Sequence, residues 1–289
     1  MLVSIKNDKI RVSVDTLGAQ IMSIQGSDSC EYLWQGDEKY WADLAPLLFP
    51  FIARLYGEKY IYKGKTYNLP IHGFAAKMEF TPQVTENTIT MVLKSSDETL
   101  SCYPFPFTLT VNFILDDTTL RVSHIVSNCG ADTMYFGLGG HPGFRVPLME
   151  CEDFEDYTLE FSRPCYPDRV SFTQQVLLSG QTTPYPLQDN TKISLRHSLF
   201  DDDAIILQNT ARQVTLASPK GRRITMDFAD FPYFGIWHMP KTNAPYVCLE
   251  PWSSLPGRQD VIEDLSCRSD LISLTPGKTH TATWSVTIK

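Results

Sequence analysis

From Thr108 to Val126 apolar and polar residues alternate almost without interruption, and no other feature constrains the fold of this chain so tightly. Side chains of a strand point alternately to its two faces, so a two-residue period predicts strands with one face buried and one wet. The Asp116-Asp117 step between the two runs predicts a tight hairpin. Tyr60-Ile61-Tyr62 and Lys65-Thr66-Tyr67, joined by Lys63-Gly64, read as a second hairpin. A closing strand is expected over 278–288, with Ala282, Trp284, Val286 and Ile288 on one face and Thr281, Thr283, Ser285 and Thr287 on the other.

Further strands are expected at 9–14, 19–25, 88–94, 133–138, 157–161, 204–208, 212–217, 222–228, 233–238 and 246–250, separated by Gly, Pro, Asn and Asp clusters. Only 38–44 and 97–100 look briefly helical. Many short strands without long helices between them predict an all-β fold, a large antiparallel β-sandwich. No internal repeat or linker interrupts residues 1–289, which read as one domain. A broad curved sheet can hold a ligand on its concave face.

Composition narrows the partner. With 43% hydrophobic residues the 289-residue chain can bury a large core, while a net charge of −8 and the lack of any Lys/Arg run exclude a nucleic-acid or anionic-membrane surface. A neutral small molecule fits better. The seven cysteines are odd in number, scattered and without a C-x-x-C pair, which argues against a disulfide framework or zinc knuckle. The opening Met1-Leu2-Val3-Ser4-Ile5-Lys6 breaks into charge early and no long apolar run follows, so a cytoplasmic protein is expected.

Six histidines can be weighed one by one. His124 and His280 share the parity of core positions and read as structural. His197 lies in a polar loop and is expected in solvent; His238, after Trp237 at a strand end, reads as structural with a site role open. His72 in Pro70-Ile71-His72-Gly73 and His141 in Gly139-Gly140-His141-Pro142-Gly143 occupy bends where glycine frees the backbone and proline stops a ladder. They are either corners of a β protein or groups turned into a cleft. Glu250 ends the apolar run Tyr246-Val247-Cys248-Leu249, and a carboxylate leaving a buried strand must be paired, hydrogen-bonded or used. Arg54, after Leu47 to Ala53, poses the same question with opposite sign. For both, a structural salt bridge and a site role stand open. No H-E-x-x-H, G-x-S-x-G, P-loop or dinucleotide motif is present, and Asp201-Asp202-Asp203 lacks the spacing of a calcium loop.

Taken in order, Leu17-Gly18-Ala19-Gln20, Phe49-Pro50 to Arg54, Ile71-His72-Gly73, Tyr103-Pro104-Phe105, Gly140-His141-Pro142-Gly143-Phe144 and Cys248-Leu249-Glu250-Pro251-Trp252 resemble the aldose 1-epimerase (galactose mutarotase-like) family, of the bacterial type encoded with lactose-utilisation genes. The resemblance implies a galactose mutarotase-like sandwich acting on a sugar without cofactor or metal, as a monomer or homodimer. It implies His141 as general acid on the ring oxygen, Glu250 as general base on the C1 hydroxyl, and His72 as a second donor near the ring oxygen. Arg54 and Asp203 would hold sugar hydroxyls, Asp202 fitting almost as well, with Trp237 and Trp252 beside the ring. The family arginine usually follows Asn, here Ala53; an aromatic usually precedes the Phe of the His-Pro motif, where Gly143 is expected to open space; and no counterpart of the family's sugar-directed glutamine can be placed.

The chemistry calls for an acid and a base flanking C1, expected on opposite sides of it, with Glu250 ionised and His141 kept charged by a nearby carboxylate. Two other readings use the same scaffold: epimerisation of a hexose 6-phosphate, which would recruit cations such as Arg145, Lys77 or Arg258, and a non-catalytic carbohydrate-binding or sensing protein. A glycosidase or lyase fits less well, since only one carboxylate stands out.

Overall fold

A computed structural model describes residues 1–289. Two large antiparallel sheets dominate it. The nine-stranded sheet runs, edge to edge, Lys192–Ser194, Thr158–Phe161, Gln213–Ala217, Arg223–Asp227, Thr279–Ile288, Thr119–Asn128, Phe107–Asp116, Thr88–Lys94 and Thr81–Val84. The eight-stranded sheet runs Leu178–Pro184, Asp168–Phe172, Ile205–Gln208, Tyr233–Trp237, Tyr246–Trp252, Gly139–Gly140 and Leu47–Leu48, with Gly143–Arg145 also paired to Tyr246–Trp252. A three-stranded sheet, the hairpin Lys59–Tyr62 with Lys65–Asn68, and the long-range pair Met134–Phe136 with Ile272–Leu274 complete the strands.

The alternation explains how the sheets meet. Leu109, Val111, Phe113, Leu120, Val122, Ala282, Trp284 and Val286 from the larger sheet enter one apolar core of 67 buried residues. Ile205, Leu207, Phe234, Ile236, Val247 and Leu249 enter it from the other sheet. At about 1.5–3 kcal/mol per fully buried large aliphatic or aromatic side chain, this shared core is the main term holding the sheets together. The eight-stranded sheet therefore has a second face, turned away from that core, on which two small clusters form around Ile206 with Trp252 and around Tyr246 with Cys248.

The expected hairpins are present, with the first turn moved one residue to Asp117-Thr118, where Asp117 takes a φ of 55°. Residues 97–100 lie in the helix Asp97–Cys102, capped by Ser96 and Thr99. Residues 38–44 form turns instead, since a bridge between Asp37 and Trp41 closes the backbone too early for a helix. Leu2–Lys6, Thr81–Val84, Asp168–Phe172, Leu178–Pro184, Lys192–Ser194 and Ile272–Leu274 are strands that the alternation did not pick out. Leu178–Pro184 illustrates why: at a sheet edge it stays mostly exposed and polar, ending in a proline that an edge tolerates. No helix is long and apolar enough to cross a membrane.

Candidate active site

Strand parity assembles the site. In Tyr246–Trp252 the residues Val247 and Leu249 face the main core, so Tyr246, Cys248, Glu250 and Trp252 must face the other way. On one side this strand pairs with Tyr233–Trp237, where Gly235 stands opposite Glu250. A Cβ at Gly235 would lie 3.0 Å from the Glu250 Cβ, so only glycine leaves the carboxylate its place. On the other side Gly143 pairs with Cys248 and Gly139 with Trp252, and His141-Pro142 break the ladder between them. The Leu249 N–H donates to the Pro142 carbonyl at 3.1 Å and pins the break. His141 is thereby carried beside Glu250, with Nε2 at 3.3 Å from Oε2.

These two groups form the floor of a cleft of about 350 Å³ that Arg54, His72, Asp203, Trp237 and Trp252 also line. Three lining positions, Ala53, His72 and Asp203, have positive φ values of 56°, 63° and 75° without being glycine. Such backbone costs about 1–3 kcal/mol per residue and persists only where surroundings enforce it. The enforcement is visible at two of them: the Ala53 N–H donates to His72 Nδ1 at 3.1 Å and the His72 N–H donates to the Ala53 carbonyl at 3.0 Å. Nδ1 accepts, so His72 carries its hydrogen on Nε2. Gly73 completes the bend; its φ is 75°, and a Cβ there would meet the Phe49 carbonyl oxygen at 2.3 Å.

The open alternatives for the charged candidates are resolved. Arg54 is exposed at the cleft and engages no carboxylate, so it is not a structural salt-bridge partner. Glu250 meets no Arg or Lys; its Oε2 receives the Trp252 indole N–H at 3.0 Å and faces the His141 ring. Asp203 lines the cleft, whereas Asp202 lines only a neighbouring polar groove. One Asp203 oxygen accepts the Ala204 N–H at 2.7 Å.

Three expectations need correcting. His141 and Glu250 touch instead of facing each other across a gap, because both hang from adjacent strands of one sheet. Gly143 does not open space: the position of its missing Cβ is 3.1 Å from the Trp41 ring and 3.2 Å from the Trp34 Cβ, so the room is filled. His197 is not in solvent; it stacks on Phe154 at 4.0 Å, and its Nδ1 lies 3.1 Å from His238 Nε2, outside the cleft. His238 is fully buried, as a structural residue would be.

Trp41, Asp43, Phe172 and Met239 line the cleft without having been singled out from sequence. The Trp41 ring centroid is 4.9 Å from that of His141 and 5.5 Å from that of Trp237, so the imidazole is walled by two indoles. The sole sequence trace of this packing is the side-chain-free Gly143, and nothing local links it to Trp41.

Burial works against both expected charge states. Burial pushes His141 well below its usual 6.5, with His72 adding to the effect, and pushes Glu250 well above its usual 4.5 against the opposing Trp252 N–H, Asp203 adding to the rise. Burial therefore disfavours the charged form of each group, and the two share one dissociable proton. His72 is lowered to about 4, by burial and then by Arg54, and is a neutral donor. His141 Nδ1 is buried without a partner. Nε2, 3.3 Å from Oε2, is the nitrogen that faces the carboxyl group. Glu250 Oε2 accepts the Trp252 indole N–H, leaving Oε1, which takes no hydrogen bond from the protein, for whatever enters the cleft.

One set of side chains has the makings of a metal centre: the ligand atoms of His141, Cys248 and Glu250 lie within 4.8 Å of one another, all three residues buried.

The antiparallel sandwich with a small cleft over a buried imidazole–carboxyl pair is shared with known proteins, and comparison identifies the family. The family model for aldose 1-epimerase matches residues 1–287. The chromosomal and plasmid forms of protein LacX from Lactococcus lactis subsp. lactis are each 36% identical over 300 aligned positions, covering 100% of this chain and 99% of theirs. A galactose mutarotase related enzyme from Lactobacillus acidophilus superposes with a TM-score of 0.95 at 35% identity, covering 100% of this chain and 97% of that one. A galactose mutarotase-like protein from Lactobacillus casei gives 0.93 at 31% identity, with both chains covered completely. The chain belongs to the aldose 1-epimerase family, and its fold is the galactose mutarotase-like β-sandwich.

Proposed function

We propose that this protein interconverts the α and β anomers of an unphosphorylated hexose, with His141 and Glu250 moving the protons. The observation carrying the proposal is the contact between those two groups, buried on the floor of a cleft at the small end of the ~300–1,000 Å³ range for small-molecule sites. Opening a cyclic hemiacetal delivers a proton to the ring oxygen and removes one from the C1 hydroxyl. Both oxygens are bonded to one carbon, so an acid and a base standing side by side reach both.

A pair holding a single proton suits this exchange. The member carrying the proton donates as the other accepts, and reclosure after rotation about C1–C2 reverses the roles. We assign Glu250 as the group meeting the C1 hydroxyl and His141 as the group meeting the ring oxygen, with the neutral His72 supplying a further N–H near it. Arg54 and Asp203 hold hydroxyls, and Trp237 and Trp252 flank the ring. Every step exchanges protons alone, so the scheme asks for no cofactor. A cytoplasmic setting suits seven unpaired cysteines.

The lining favours an uncharged sugar over a phosphorylated one. Arg54 is its one cation against the carboxyl groups of Asp43, Asp203 and Glu250, and Arg145, Lys77 and Arg258 lie elsewhere. Polarimetry on freshly dissolved α-glucose, α-galactose and α-glucose 6-phosphate tests the reading, with acceleration expected for a neutral hexose. Acceleration of the phosphate ester alone would overturn the substrate assignment. Sugar binding without acceleration of any would make the protein a carbohydrate sensor.

A further inference from the structure

We infer that the cleft floor is also a binding site for a thiophilic divalent cation of the zinc class, held by His141, Cys248 and Glu250, and that a cation seated there shuts out the sugar. Metal binding stands on the geometry alone; the exclusion of sugar rests on the function proposed above.

Cys248 has no part in the proton exchange, and it is the one buried cysteine among the seven. It sits two residues from Glu250 on the same strand face, while His141 comes from the interrupted neighbouring ladder opposite Cys248. Tetrahedral zinc, with bonds of about 2.0–2.3 Å, holds its ligand atoms roughly 3.3–3.8 Å apart. The imidazole–carboxylate edge of 3.3 Å already has that span. Since all three ligand atoms lie within 4.8 Å of one another, the thiol has to close by about 1.5 Å at most to complete the face.

The donor set selects the metal. Thiolate with imidazole suits zinc, cobalt or copper and disfavours magnesium or calcium, which prefer oxygen alone. His141 and Glu250 line the cleft and Cys248 is buried, so a cation would enter from the cleft, with water completing its coordination. As the cation enters, the thiol proton and the proton shared by His141 and Glu250 pass to water, and Nε2 bonds the metal with the remaining imidazole hydrogen on Nδ1. The Trp252 indole N–H orients the carboxylate from behind, but Nδ1 has no acceptor, so support for the ligands is one-sided and affinity is moderate. The cation takes up the atoms that would handle the sugar's protons, so sugar and metal compete.

The test adds Co²⁺ to the intact protein and follows thiolate-to-cobalt charge-transfer absorption in the near ultraviolet. The band should appear, be abolished by Zn²⁺, and need more cobalt when galactose is present. Cys248→Ser should lose it, and the Zn²⁺ concentration for half-inhibition should rise at least about 10-fold, the smallest loss that changes merely supporting a ligand produce. His141→Asn must lose the band too, which keeps the inference testable if Cys248→Ser folds poorly. No band in the folded wild type, or an unchanged band in either folded variant, overturns the site. A normal band in a protein that accelerates no sugar would leave the site standing and remove the proposed function; sugar turnover indifferent to Zn²⁺, without a band, would do the reverse.

Discussion

Glu250 and Glu263 are both almost fully buried, at 1% and 4% exposure, yet they are housed in opposite ways. Glu263 is saturated: Oε1 accepts from Arg258 Nε at 2.7 Å, and Oε2 accepts from Arg268 Nη1 at 2.8 Å and from the Arg258 backbone N–H at 3.1 Å. Arg268 in turn reaches Asp270 and the carbonyls of Leu255 and Pro256. Glu250 has an indole N–H, an imidazole and an oxygen left over beside a cavity. A buried carboxylate surrounded by cations is a fixture of the fold. One that is under-satisfied, opposite a glycine that makes room for it, is the group to which we assign the chemistry, and its raised proton affinity is a product of its burial.

The comparison can be broken at several points. The largest effect is expected from Glu263→Gln, which takes the negative charge from between Arg258 and Arg268, leaving Asp270 as the one carboxylate on Arg268, and should cost about 3 kcal/mol in urea unfolding while sugar turnover per folded molecule stays unchanged. Glu250→Gln should do the opposite: anomer exchange slows at least about 100-fold, near 3 kcal/mol of barrier, while stability moves by no more than about 1 kcal/mol. A Glu250→Gln protein with near-normal exchange would end the assignment.

The smallest and most diagnostic effect is in the pH profile. Raising the pH removes the one proton the pair shares; lowering it adds a second to the imidazole. Burial lowers the imidazole and raises the carboxyl, so kcat/KM should show an acid limb below the ordinary imidazole value of 6.5 and an alkaline limb well above the ordinary carboxyl value of 4.5. An acid limb above 6.5 would mean that His141 is charged at rest.

Much of this was legible beforehand, for reasons that differ by residue. The hairpin Phe107–Asp116 with Thr119–Asn128 was readable because a half-buried strand writes its two faces into consecutive residues. Glu250 stood out as an acid inside an apolar run, and His72 and His141 as rings on glycine-marked bends. Trp41 and Asp43 did not, since they enter the cleft from an irregular segment without a period. The stacked, half-buried His197 was equally invisible in its polar loop.

By itself the sequence determined the parity of each strand, and with it which side of a sheet Glu250 or Trp284 must face, because that depends on local backbone geometry alone. Which distant residues meet, and what proton affinity they then have, was decided by the tertiary structure. His141 reaches Glu250 because one ladder is broken opposite the other strand, and both groups are moved from their solution behaviour by a dry environment that no short stretch of chain can supply.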